Sequence, residues 1–138
     1  MAKRAKTPDQ TEQLAEFVTR AQFEDLSADA RHHLKLHILD TLGCAIGALG
    51  HEIPQKVRNY IDEFPAQGPC TTIGGGKTSP DRATLMNGAL VRYLDFMDNF
   101  LAKGETCHPS DNFAAVLPIA SRTTLYTPPR TNMLQLSM

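Results

Sequence analysis

The chain has 138 residues, a length that suits one domain with a modest hydrophobic core. Hydrophobic residues make up 41% and charged residues 21%, a balance typical of a soluble globular protein and not of a disordered one. The formal net charge of −1 argues against the basic stripe of a nucleic-acid-binding protein, and no segment approaches the ~18 consecutive apolar residues that span a bilayer.

The N-terminal stretch is polar, and we predict that residues 1–10 are disordered. It lacks the apolar region of a secretory signal. Cys44, Cys70 and Cys107 are widely spaced and form no CxxC pair. They predict free thiols in a reducing compartment, with the cytoplasm as the default location.

Two helices are predicted before residue 50. Leu14, Phe17 and Val18 have the i, i+3, i+4 spacing of a short first helix. Ser27 suits the N-cap of a long second helix that ends near Gly50. One apolar stripe follows this second helix: Leu34, Ile38, Leu42, Ala45, Ile46 and Leu49.

Glycines and histidines on the second helix allow further predictions. Gly43 and Gly47 lie four residues apart and predict a closely packed neighbouring helix. His33 and His37 share one face at a spacing that can bind a metal. No third ligand stands nearby in the sequence and the motif is not HExxH, so we predict a hydrated polar face instead.

A third helix is predicted from Pro54 to Phe64, with the proline in its first turn. A short β-like or loop segment follows near residues 70–78. Its glycine triplet stands before Lys77 but lacks the earlier glycine of a phosphate-binding loop. We therefore predict a turn without a nucleotide.

Ser79 and Pro80 predict the start of a fourth helix. Apolar residues recur at helical spacing as far as Phe100, so this helix is predicted to continue through that point. Such a helix places three polar residues in one column, at i, i+3 and i+7: Arg92, Asp95 and Asn99.

The last predicted elements are a loop at residues 102–106 and a further helix. Ser110 or Asp111 suits the N-cap of that helix, and His108 stands just before it. The N–H groups at such a helix start favour an anion. The helical pattern stops after Ser121, where the chain becomes rich in threonine and proline.

An aspartate and a histidine that face one pocket are the minimal parts for general acid–base chemistry. One can take a proton α to a carboxylate while the other protonates a leaving hydroxyl. Asp95 and His108 are the candidates. The alternatives are a solvated Arg–Asp surface, Cys107 as a nucleophile for which the sequence shows no base, and a metal held by Asp95, Asp98 and His108.

Several motifs resemble, in order and separation, the N-terminal half of the MmgE/PrpD family, which includes 2-methylcitrate dehydratases and cis-aconitate decarboxylases. They are ILDTLGCAIGAL, GGGKTSPDRATLMNGAL, LDF followed by DN, and HPSDN. The resemblance implies a mainly α fold, with residues 11–121 forming part of a helical-bundle domain that has a short β-like segment near 70–78. It also implies a separate lid domain and a homodimer. Residues 122–138 match nothing expected of the family and are predicted to be an aberrant or disordered tail.

The resemblance further implies lyase chemistry on small tricarboxylates, usually without a metal or organic cofactor. In the decarboxylase branch the aspartate of LDF and the histidine of HPS line the active site, and these carry over to Asp95 and His108. That branch uses a threonine where this chain has Asn99, and its loop to the histidine is shorter. The expected reaction is therefore 2-methylcitrate dehydratase-like, with three substrate-binding residues: Arg92, Asn99 and Ser110.

A cis-aconitate decarboxylase-like lyase and a non-catalytic helical interaction module are the alternatives. Family members are much longer, and several of their basic active-site residues lie beyond position 121. A tricarboxylate needs cationic receptors, for which this chain offers Arg92 and Lys103 near the site. We therefore expect the fragment to be inactive alone. A frameshifted, mis-spliced or truncated reading frame is the leading explanation for its length and for its divergent tail. Its expected location is cytoplasmic, or mitochondrial in a eukaryote.

Overall fold

A computed structural model describes residues 9–123, so most of the predicted disordered start and of the predicted tail lies outside the described residues. The described part is mainly α, as predicted. Two short antiparallel hairpins accompany the helices, β1 (Cys70–Thr71) with β2 (Lys77–Thr78) and β3 (Phe100–Ala102) with β4 (Glu105–Cys107). The helices are α1 (Gln10–Arg20), α2 (Ala28–Gly47), α3 (Glu52–Glu63), α4 (Pro80–Tyr93) and α5 (Asp111–Thr123).

The chain divides into two compact units whose boundary lies inside α2, between Lys35 and Leu36. In the first unit, a capping box starts α1. Asp9 Oδ1 accepts the N–H of Glu12 at 2.8 Å, and Glu12 Oε2 accepts the N–H of Asp9 at 3.0 Å. The hydroxyl of Ser27 accepts the N–H of Ala30 at 3.1 Å, which confirms the predicted start of α2.

The buried face of α2 differs from the predicted stripe. In the second unit it is formed by Thr41, Cys44, Ala45 and Ala48, whereas Leu34, Ile46 and Leu49 are exposed. Since α2 is apolar on more than one side, apolar spacing alone did not identify the face that meets the core.

The close packing predicted at two glycines of α2 occurs at one of them. A Cβ on Gly47 would lie 3.1 Å from Cδ1 of Leu94, whereas a Cβ on Gly43 would meet nothing within 4 Å. The prediction was therefore wrong for Gly43. At Gly47 the close neighbour is a leucine side chain that follows α4.

Helix α4 lies at the centre of the second unit. Leu90 and Val91 are fully buried, and Met86 is nearly so. They pack with small residues of α2 and with Ile61 of α3 in one hydrophobic cluster. On another side of α4, Gly88 lies against α5. A Cβ built on Gly88 would be 3.8 Å from the Cβ of Ala114. The absence of a side chain at Gly88 therefore lets α5 pack close to α4.

The first hairpin forms where a short β-like segment was predicted. Gly74, Gly75 and Gly76 all have φ between +87° and +106°, a left-handed region that favours glycine. The side chain of buried Asn87 joins β1 to α4, because its Oδ1 accepts the N–H of Ile73 at 2.8 Å and its Nδ2 donates to the carbonyl of Thr71 at 3.2 Å. The hairpin is thus a structural element fixed to α4.

The fourth helix ends earlier than predicted, at Tyr93 instead of Phe100. Asp95 has φ 55°, the left-handed conformation in which a helix commonly terminates. The chain then reverses, and Phe100 lies on β3. Therefore Arg92, Asp95 and Asn99 do not form a column on one helix. The predicted loop at 102–106 is likewise wrong, since β3 and β4 are joined by a two-residue turn at Lys103 and Gly104.

Candidate functional site

Asp98 is the best-connected polar residue of the segment between α4 and α5. Its side chain is 12% exposed. Oδ1 accepts the N–H of Ser110 at 3.2 Å, and Oδ2 lies 3.7 Å from Nδ1 of His37 on α2. Its main-chain carbonyl lies 2.8 Å from Nδ1 of His108. The sequence had assigned Asp98 a secondary place, so its central position is a finding of the structure.

The start of α5 already has an anion. The carboxylate of Asp98 accepts the N–H of Ser110, and the next three N–H groups donate to the carbonyls of His108, Pro109 and Ser110. The sequence predicted that the N–H groups at this helix start favour an anion, and the anion found there is a side chain of the same protein. The carboxylate of Asp98 occupies that position and is favoured there by the helix dipole.

Ser110 nevertheless keeps one unused polar group. Its side chain is 7% exposed, and its hydroxyl has no hydrogen-bond partner among the described residues. A buried hydroxyl without a partner is unfavourable by about 1–3 kcal/mol. A bound molecule that hydrogen-bonds this hydroxyl would remove that penalty, which supports the prediction that Ser110 contacts substrate.

Asp95 lies two residues beyond the end of α4, with its side chain 75% exposed. Its carboxylate lies 3.9 Å from the guanidinium of Arg92, which is the ion pair that the sequence suggested. No hydrogen bond joins the carboxylate to His108 among the described residues, so the two predicted catalytic groups do not contact one another. They stand on opposite sides of Asp98 along the chain.

Arg92 is shared between acidic groups. Its guanidinium lies 3.6 Å from Asp111 and 3.9 Å from Asp95, and it donates to the sulfur of Met97 at 2.9 Å. The two carboxylates of Asp95 and Asp111 therefore share one guanidinium. These carboxylates would repel a polyanionic substrate unless other cations contributed to the site.

The remaining candidates lie at the surface. Asn99 is exposed just before β3, Cys107 is exposed on β4, and Lys103 is exposed at the hairpin turn. In residues 9–123 no histidine or carboxylate hydrogen-bonds the thiol of Cys107. Burial, with a contribution from Asp40, raises the pKa of the Cys44 thiol. Neither thiol therefore has the environment of an activated nucleophile.

The structure also bears on metal and membrane binding. In the described part of the chain, no three side chains of the His, Cys, Asp and Glu types are arranged to hold a metal ion. His33 pairs with Asp29 at 3.6 Å, whereas His37 faces Asp98, so the two histidines have different partners. Between residues 9 and 123 no helix is both long and apolar enough to cross a membrane.

The candidate residues lie within a segment that matches a known protein family. The family model for the MmgE/PrpD N-terminal domain matches residues 12–130. The match includes Asp95, Asp98, His108 and Ser110, and it extends nine residues beyond the predicted domain end at Ser121. That domain boundary therefore stays a prediction.

The chain is similar to several named proteins over most of its length. It is 34% identical over 119 residues to a 2-methylcitrate dehydratase of Cupriavidus necator, covering 82% of this chain and 23% of the relative. It is 35% identical over 91 residues to a 2-methylcitrate dehydratase of Escherichia coli, covering 60% and 17%. It is 28% identical over 91 residues to a cis-aconitate decarboxylase-like protein of Aspergillus oryzae, covering 64% and 18%. The chain thus spans less than a quarter of these relatives, and no solved structure matches it.

Proposed function

Because this chain belongs to the MmgE/PrpD family, we propose that it is the N-terminal part of a lyase acting on small tricarboxylates, with loss of water from 2-methylcitrate as the reaction. The observation that supports this most is the arrangement at the start of α5. There a histidine held by the main chain of Asp98 stands next to a buried serine hydroxyl that has no partner.

The chemistry requires two proton transfers. A base takes the proton from the carbon α to a carboxylate, the C–H electron pair forms the new C=C bond, and the C–O bond breaks as an acid protonates the departing hydroxyl. We propose that His108 and Asp95 perform these transfers and that Ser110, Arg92 and Asn99 bind the substrate. No metal or organic cofactor is assigned to the reaction.

The left-handed conformation of Asp95 allows a test of its effect on stability. Its φ of 55° costs an L-residue about 1–2 kcal/mol, so glycine at this position is expected to leave the free energy of unfolding unchanged or raise it by up to about 1 kcal/mol. Alanine keeps the strained φ, loses the weak contact with Arg92, and should be the less stable variant. Urea denaturation of both variants checks the order. If Asp95→Gly is less stable than Asp95→Ala, the positive φ of Asp95 does not strain the folded chain.

The described residues form one wall of such a site. Two carboxylates beside Arg92 offset its charge, so cations from elsewhere are required before a tricarboxylate can bind. Large apolar side chains also remain exposed on all five helices and on β3, among them Phe17, Leu39, Phe64 and Leu101. Such surfaces are typical of a protein whose partner segments are missing. We therefore propose that the domain at 11–121 has no activity alone and that the complete lyase is a homodimer.

The test of this proposal is an assay of the 138-residue chain with 2-methylcitrate and with cis-aconitate, beside the Cupriavidus necator relative as a positive control. We expect no turnover by the chain alone. If the chain turned over either substrate and Asp95→Ala or His108→Ala abolished that turnover, the described residues would form a complete site and not one wall of it.

A non-catalytic interaction module is the second candidate, and the exposed apolar side chains favour it. A stable monomer at micromolar concentration would argue against both the module and the missing partner segments. A cis-aconitate decarboxylase-like activity is less favoured, since Asn99 replaces the threonine expected in that branch.

A further inference from the structure

The contact between His108 and the main chain of Asp98 determines which imidazole nitrogen carries the proton. A carbonyl oxygen can only accept, so at 2.8 Å Nδ1 of His108 is the donor. In the neutral ring the lone pair then lies on Nε2. The nitrogen available to take a proton from a substrate is therefore the one that Asp98 does not contact.

The side chain of Asp98 fixes the position of that carbonyl. Oδ1 binds the N–H of Ser110, two residues after the histidine, and Oδ2 faces His37 of α2 at 3.7 Å. These contacts join the segment after α4 to the start of α5. Because the side chain of Asp98 is only 12% exposed, water competes little for the hydrogen bond of its carboxylate. A change to this side chain should therefore move the carbonyl relative to the imidazole.

We propose that Asp98 is the positioning residue for His108. Its carboxylate binds Ser110 N–H, and its own carbonyl holds the imidazole in the Nδ1–H tautomer with Nε2 free to accept a proton. This assignment rests on the proposed role of His108 in proton transfer. It gives Asp98 a function that is separate from contact with substrate.

The tautomer can be read directly in the 138-residue chain. Nitrogen chemical shifts of ¹⁵N-labelled imidazoles distinguish the two tautomers at a pH well above the ordinary histidine pKa of about 6.5. The His108 signal is assigned by its loss in His108→Gln. We expect Nδ1–H in the parent chain. Asp98→Ala should shift the ring to the Nε2–H form, which is favoured by histidine free in water.

Asp98→Asn is the conservative variant, because its amide oxygen can still accept the Ser110 N–H. It should retain the Nδ1–H tautomer. Hydrogen exchange of the Ser110 amide gives a second readout, and loss of one charge-assisted hydrogen bond in Asp98→Ala should speed it by about tenfold. Asp111→Ala is the matched control, since it removes an acidic side chain from the first turn of α5 that contacts Arg92 and not the ring of His108.

Three results would overturn the assignment: an Nε2–H tautomer in the parent chain, an unchanged tautomer in Asp98→Ala, or its loss in Asp98→Asn. If Asp98→Ala does not fold, Asp98→Leu replaces it, because leucine has the branched shape of aspartate without an acceptor. These results concern the ring of His108 alone. Absence of lyase activity would leave them standing, and their failure would leave the proposed reaction intact without a role for Asp98.

Discussion

Replacing His108 with alanine in an active chimera is expected to lower kcat by about 10²–10⁴, the usual contribution of a positioned acid or base. The chimera carries residues 12–123 of this chain in place of the matching segment of the Cupriavidus necator relative, which supplies the other walls of the site. A proton-transfer role predicts a loss in kcat, because the ring acts in the transition state and not in ground-state binding.

The matched control for this variant is His32→Ala. His32 is an exposed histidine on α2 that lies in the first unit and contacts the ring of His33. We expect its turnover to equal that of the parent chimera. Parent-like kcat in His108→Ala would remove His108 from the proton-transfer step, and a change confined to KM would make it a binding residue.

Replacing Asn87 with alanine is expected to lower the free energy of unfolding by about 2–6 kcal/mol, since two partly buried main-chain groups each lose a partner at about 1–3 kcal/mol. These groups are the N–H of Ile73 and the carbonyl of Thr71. Asn87 is itself fully buried, so water cannot easily replace its amide. Urea denaturation followed by circular dichroism measures the change.

Asn59→Ala is the matched control for Asn87→Ala. Asn59 is exposed on α3, where its side chain accepts a hydrogen bond from Gln55, and its loss should change stability by less than about 0.5 kcal/mol. An Asn87→Ala variant as stable as the control would show that the hairpin is not fixed through this side chain.

The starts of α2 and α4 could be predicted because each depends on a few neighbouring residues, whereas α3 begins at Glu52, two residues before the predicted Pro54. Ser27 caps α2, and Ser79 followed by Pro80 begins α4, as their residue types suggest. The Asp9–Glu12 capping box was also visible as D-x-x-E, and it places the first helical residue at Gln10, inside the stretch predicted to be disordered.

The end of α4 could not be predicted in the same way. Apolar residues continue at helical spacing to Phe100, but Met97 is buried in the core from a segment that is no longer helical. The left-handed conformation of Asp95 ends the helix, and an aspartate does not predict that conformation as strongly as a glycine does. The Lys103–Gly104 pair between β-forming residues was the available signal for the second hairpin.

The sequence predicted candidate site residues in the segment between α4 and α5, but not the partners of these residues. His37 and Asp98 lie far apart in the chain, and their approach depends on how α2 and α4 pack. Spacing along one helix could not show this. For the same reason the sequence predicted an anion at the start of α5 but could not show that the carboxylate of Asp98 supplies it.

The most direct test of the proposed function is the product that the unmodified chimera forms from 2-methylcitrate. We predict loss of water, seen as the absorbance of a new carbon–carbon double bond, with no turnover by the 138-residue chain under the same conditions. A folded chimera that forms no such product, or that instead releases carbon dioxide from cis-aconitate, would contradict the assignment of these residues to a dehydratase.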